Sequence, residues 1–140
     1  MKKRIGIWLD YKEANIIILE EDGARVENIL SEIELFHPKG GARSKSPYGP
    51  MDKILESKFL ARRKLQEKAY YEKLMDAVKS ADELFVFGPA EAKDGLLKAI
   101  KNSHQFRPEL KGFERADSMT KNQKVAKVRA FFTSAQSQNQ

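Results

Sequence analysis

Ile5, Ile7 and Leu9 alternate with Gly6 and Trp8, and after Asp10-Tyr11-Lys12 a β-branched run extends from Ala14 to Leu19. This pattern predicts two adjacent strands. Glu21-Asp22-Gly23 is a tight-turn signal, and Val26, Ile29, Ile33, Leu35 and Phe36 predict a third strand leading toward His37 and Pro38. Residues 38–50 hold the pair Gly40-Gly41, three prolines and two serines, the composition of a solvated loop. From Met51 to about Ala81 there is no glycine or proline and the strong helix formers dominate, with Pro50 placed where a helix accepts proline. Some 30 residues at about 1.5 Å each make a rod of roughly 45 Å, whereas a compact domain of this size is about 37 Å across. Part of the rod must overhang. Ala69, Tyr70, Tyr71, Leu74, Met75, Ala77 and Val78 crowd its second half, so the first half is the overhang.

Leu84 to Phe87 is a continuous apolar run and predicts a buried central strand, and Gly88-Pro89 opens a second helix through Leu96, Leu97 and Ile100. Helix, strand and helix in succession imply a parallel crossover. Residues 110–116 are weakly strand-like, and Thr120 with Gln123 forms a capping box for a last helix carrying Val125, Val128, Phe131 and Phe132. Residues 134–140 are polar and are expected to form a disordered tail. Together these elements predict one layered α/β domain over residues 1–133, with a mixed sheet of about five strands and a long basic helix after a Gly-Gly loop.

Charge sharpens this picture. Between Lys39 and Lys68 nine basic residues stand against three acids, an excess of six that equals the net charge of the whole chain, +6. A positive lobe on an otherwise balanced body suits a surface that meets a polyanion. The candidate contacts are Lys58, Arg62, Arg63, Lys64 and Lys68 on the helix, with Gly40, Gly41, Arg43, Lys45 and Tyr48 in the loop. Tyr48 beside Lys45 offers a platform for a stacked base. The plain alternative is a solvated helix face.

Other chemistry finds little footing. With no cysteine there is no disulfide, thiolate metal site or cysteine nucleophile. Neither a Walker loop nor a dinucleotide fingerprint occurs, and no cofactor is expected. Asp10 ends the first strand where a metal nuclease would place an acid, but its partners would be the distant Asp117 and Asp94. His37 and His104 lack neighbouring ligands, and Ser44 and Ser46 lack a base, so neither metal nor catalytic residues are assigned. The apolar run after Met1-Lys2-Lys3-Arg4 stops at Asp10, too short for an export signal, and no segment approaches a membrane span. A cytoplasmic location is expected.

The order of elements, with Gly40-Gly41, Phe59-Leu60-Ala61-Arg62-Arg63-Lys64-Leu65, Tyr70 to Leu74, Leu84-Phe85-Val86-Phe87-Gly88-Pro89 and Asp117-Ser118-Met119-Thr120, resembles the middle domain of the archaeo-eukaryotic peptide release factors and Pelota. The chain is similar to bacterial stand-alone versions of that domain. The resemblance implies an RNase H-like fold and action on or near the ribosome. In the release factors the Gly-Gly pair is followed by a glutamine that helps place the hydrolytic water; here Ala42 follows. The resemblance therefore implies an RNA-binding protein of translation, with ribosomal RNA or tRNA as partner and without self-sufficient peptide-release activity. Two other classes stay open: a protein-interaction module or homo-oligomer with no nucleic-acid role, and a release or rescue factor that hydrolyses peptidyl-tRNA.

Overall fold

The structure is a computed structural model that describes residues 2–34 and 50–138. Five strands form one sheet: β1 (Arg4–Leu9), β2 (Glu13–Glu20), β3 (Gly23–Leu30), β4 (Glu83–Gly88) and β5 (Glu109–Arg115). Their order is β3-β2-β1-β4-β5. β1, β2 and β3 pair antiparallel, whereas β4 runs parallel to both β1 and β5, so the sheet is mixed. Three helices complete the fold: α1 (Pro50–Val78), α2 (Ala92–Asn102) and α3 (Lys121–Gln138).

Side chains alternate across each strand, so β1 buries Ile5, Ile7 and Leu9 on one face and Trp8 on the other. The first face also receives Ala14, Ile16, Leu84 and Val86 from the sheet, Tyr70, Leu74 and Val78 from α1, and Leu96 from α2. The second packs Ile17, Phe85 and Phe87 against Val128 and Phe132 of α3. The sheet is thus covered on both sides, and its central strands read as continuous apolar runs for that reason.

A row of polar groups crosses the α3 face. Lys124 Nζ lies 3.4 Å from the centre of the Trp8 ring and donates to Asn15 Oδ1 at 2.6 Å, while Asn15 Nδ2 donates to Asn28 Oδ1 at 3.0 Å. Burial pulls the Lys124 ammonium below the ordinary lysine range, opposed by the charges of Glu13 and Asp10. At the far end of the central strands Glu83 gathers Arg4 at 2.8 Å, with Lys2 and Lys111 each at 3.6 Å. Burial pushes its carboxyl up, but the Arg4 hydrogen bond and the three cations outweigh that and hold it below the usual range.

The third strand ends earlier than its apolar pattern predicts. Ser31 donates through its hydroxyl to the Tyr11 carbonyl and Glu32 takes a positive φ of 59°, so the chain leaves the sheet at Leu30. Ile33 is a core residue beyond the strand, and Leu35 and Phe36 lie outside the described residues. α2 starts at Ala92, three residues after Pro89, which sits in the connection instead of in the first turn. The capping box holds: Gln123 N donates to Thr120 Oγ1 at 3.1 Å and Thr120 N to Gln123 Oε1 at 2.9 Å. The helix it opens continues to Gln138, through polar residues that composition alone places in a disordered tail.

Two glycines mark where a helix meets its neighbour without room for a side chain. A methyl at Gly6 would overlap Val128, and one at Gly95 would overlap the Tyr71 hydroxyl and ring. Gly6→Ala and Gly95→Ala are each expected to destabilise the protein by about 1–3 kcal/mol, the usual cost of overpacking. Urea unfolding monitored by circular dichroism measures this, with Gly23→Ala, where open space surrounds the position, as the near-neutral control.

Candidate nucleic-acid interface

At about 1.5 Å per residue the 29 residues of α1 extend roughly 44 Å. Its second half is fixed to the sheet by Tyr70, Leu74 and Val78, none of which is exposed. The Tyr70 hydroxyl also donates to the Asp10 carbonyl at 2.9 Å, tying the helix to the turn after β1. In the first half residues 53–58 are all exposed, and Phe59 is the buried member. The cations from Lys58 to Lys68 thus run from the exposed first turns up to the docked ones.

The structure divides the five helical cations into two groups. Arg63 is half-buried, with Nε 3.5 Å from Glu67 Oε2 and its guanidinium 5.4 Å from the centre of the Tyr11 ring. It clamps α1 to the β1–β2 turn. Arg62 is exposed and reaches Glu34 at 3.3 Å, beside Gln66, whose side-chain oxygen accepts from Glu34 N at 2.9 Å. These contacts seat the chain leaving β3 against the middle of α1. Lys58, Lys64 and Lys68 are exposed and make no ion pair among the described residues. Four residues apart, Lys58 and Arg62 form one row on the helix and Lys64 and Lys68 another. On the same stretch of helix Ile54, Leu55, Leu60 and Leu65 are at least half exposed, at 50–68%.

The loop candidates Gly40, Gly41, Arg43, Lys45 and Tyr48, and Ala42 with them, lie outside the described residues.

Sequence reasoning did not single out the cations of α2. Lys98 and Lys101 are exposed on it and make no ion pair among the described residues. Lys98 shares an open groove of about 720 Å³ with Lys64 and Lys68 of α1. The amphipathic spacing of α2 places Lys98 on its polar side, but only the approach of Gly95 to Tyr71 brings that side against α1. A second cavity of about 430 Å³ opens beyond the ends of the parallel strands, lined by Tyr11, Pro89, Lys93 and Arg115 with the acids Glu91 and Asp94. Its lysine is already engaged, with Nζ donating to the Ala90 carbonyl at 2.8 Å. Asp10, the acid a metal nuclease would need, accepts from Lys12 N and Glu13 N at 2.8 Å each. Among the described residues no three acidic or histidine side chains cluster as metal ligands, and no helix is long and apolar enough to cross a membrane.

No protein-family model and no curated protein matches the chain. Solved structures do. Pelota from Thermoplasma acidophilum is similar over 86% of this chain and 30% of its own, at 15% identity and a TM-score of 0.52. Pelota from Archaeoglobus fulgidus is similar over 99% of this chain and 38% of its own, at 11% identity and a TM-score of 0.51. An archaeal translation termination factor is matched over 98% of this chain and 39% of its own, at 13% identity and a TM-score of 0.47. The chain thus spans about a third of the Pelota structures and has an α/β fold resembling the Pelota middle domain, with its mixed five-stranded sheet.

Tyr71, in the lining of the groove, is buried, and its hydroxyl has no hydrogen-bond partner of good geometry among the described residues, although the Tyr11 hydroxyl is a neighbour. Burial raises the pKa of both Tyr70 and Tyr71 above the ordinary tyrosine value, with nearby acidic groups adding to it. The folded chain therefore keeps these protons after the unfolded chain has released them. The resulting stability is intact below about pH 10 and is lost as pH rises above it. Tyr70→Phe is expected to cost about 1 kcal/mol at neutral pH, whereas Tyr71→Phe is expected to be neutral or stabilising by up to about 1 kcal/mol. Both variants should soften the alkaline loss, as read by denaturant unfolding from pH 7 to 11.

Proposed function

We propose that this protein binds RNA of the translation apparatus through the stretch of α1 from Lys58 to Lys68. The observation that carries the reading is the set of exposed Lys58, Lys64 and Lys68 along α1, none in an ion pair among the described residues. Arg62 joins them, because a surface pair such as Arg62–Glu34 is weak and screened by salt, and a phosphate can displace the carboxylate. The Pelota-like fold, with the release-factor resemblance of the sequence, points to ribosomal RNA or tRNA as the polyanion. The loop around Gly40 and Gly41, with Arg43, Lys45 and Tyr48, would extend the contact, and Ala42 in place of glutamine argues for binding without peptide release.

Neutralising four phosphates of a single strand predicts a log–log salt slope of about −2.8. Fluorescence anisotropy of a labelled single-stranded RNA between about 50 and 300 mM salt measures it. Reversing Lys58, Lys64 and Lys68 to glutamate should lower affinity at least a hundredfold with the melting temperature kept. Arg63→Ala should instead lower stability, since that guanidinium holds α1 to the β1–β2 turn. A flat salt response would remove the RNA reading.

The exposed Ile54, Leu55, Leu60 and Leu65 favour a second reading, in which the same helix half meets a protein surface or a second copy. Leu60→Ser with Leu65→Ser separates the two. The interaction reading expects this double variant to shift an oligomer to monomer on gel filtration, and the RNA reading expects a monomer before and after.

A further inference from the structure

The groove between α1 and α2 has a chemistry different from that of the helix end. Lys64 and Lys68 rise on one side and Lys98 on the other, and none is in an ion pair among the described residues. Of the two carboxylates in the lining, Glu67 is taken by Arg63, which leaves Glu72 alone against three ammonium groups. Between the lysines the surface is apolar, formed by Met75, Ala99 and the backbone at Gly95, with Tyr71 beneath. At the end of α2 the Asn102 side chain offers both donors and an acceptor.

Three exposed ammonium groups on opposite rims of an apolar strip make a positive field with little to oppose it, and an anion placed between them is attracted by all three. An inorganic anion alone would satisfy the rims but not the strip. A nucleotide satisfies both, presenting phosphates to the rims and the face of its base to Met75 and Ala99. The volume, about 720 Å³, falls in the range of small-ligand sites and exceeds what one phosphate group needs. Only an unpaired residue of RNA can turn its base into such a groove, because in a duplex the bases are stacked and paired.

We infer that this groove receives one unpaired nucleotide of a single-stranded RNA, with Lys64, Lys68 and Lys98 on its phosphates and Asn102 at the edge of its base. The inference rests on the RNA reading above and adds a subsite with a preference for single strands. It also makes Lys98 a part of the interface, although Lys98 lies outside the basic stretch of the sequence.

The test uses the full chain, a labelled ten-nucleotide single-stranded RNA and a duplex of the same sequence. Ala99→Trp fills the groove and leaves Lys58 and Arg62 untouched. It should weaken single-strand binding about tenfold and leave duplex binding within twofold. With Lys98 as a fifth phosphate contact the parent single-strand slope steepens to about −3.5, and Lys98→Ala should return it to about −2.8. Lys98 is exposed, so this variant decides the matter even if the tryptophan variant fails to fold.

Unchanged single-strand affinity and slope in both variants, with the Lys58, Lys64 and Lys68 reversal still abolishing binding, would overturn the subsite and leave the RNA reading standing. Absence of RNA binding by the parent protein would end both. A polyglutamate peptide that binds as tightly as the RNA and is equally lost on Ala99→Trp would overturn the nucleotide assignment in favour of an acidic protein partner.

Discussion

The docking of the second half of α1 across the sheet is the constraint from which the rest of the molecule follows. Tyr70, Leu74 and Val78 are fully buried against β1, β2 and β4, and the Tyr70 hydroxyl is spent on the Asp10 carbonyl at the end of β1. Burying three such side chains is worth several kcal/mol, so the helix has little freedom to slide along the sheet. Because a rod of about 44 Å is seated by its last turns, its first turns have no sheet beneath them. The position of the lysines is then a consequence of packing, and the same seating brings Tyr71 against Gly95 and sets the spacing of the groove.

Much of this was legible because burial on two faces leaves a plain signature. Ile5, Ile7 and Leu9, the Ala14 to Leu19 run and Leu84 to Phe87 could hardly be other than central strands, and Thr120 with Gln123 marked a helix start through side chains that bond only in that arrangement. The end of β3 was not legible. Apolar residues continue past Leu30, and what stops the strand is a left-handed Glu32 backed by the Ser31 hydroxyl, a conformation that residue type scarcely encodes. The start of α2 was misplaced for a related reason: proline fits a first turn but fits a connection as well.

The groove was illegible for a different reason. Lys64, Lys68 and Lys98 are far apart in the chain, and their meeting depends on a glycine that lets α2 approach the Tyr71 ring. A glycine within a helical pattern usually signals only a loss of helix propensity. Fold likeness, by contrast, holds at 11–15% identity, since alternation, helix length and element order can be shared by sequences that differ at almost every position.

The distribution of ion pairs bears on what the free lysines mean. This fold pairs cations readily where it needs to: Glu83 alone serves Lys2, Arg4 and Lys111, and Glu114 meets Lys127 at 3.1 Å. Lys124, without a carboxylate in contact among the described residues, is laid over the Trp8 ring and bonded to Asn15. On α1 the pattern changes within a few residues. Arg63 is paired and clamped, Arg62 is paired loosely, and Lys58, Lys64 and Lys68 have no ion-pair partner among the described residues. Lys68 has Glu72 four residues on without an ion pair to it, whereas Lys58 and Lys64 have no acid at that spacing, where one would have added a few tenths of a kcal/mol, as Glu67 does for Arg63. The result is a positive field along α1 from Lys58 to Lys68 that an approaching anion relieves, and it peaks at Arg62-Arg63-Lys64, where the helix passes from its exposed first turns to its docked ones.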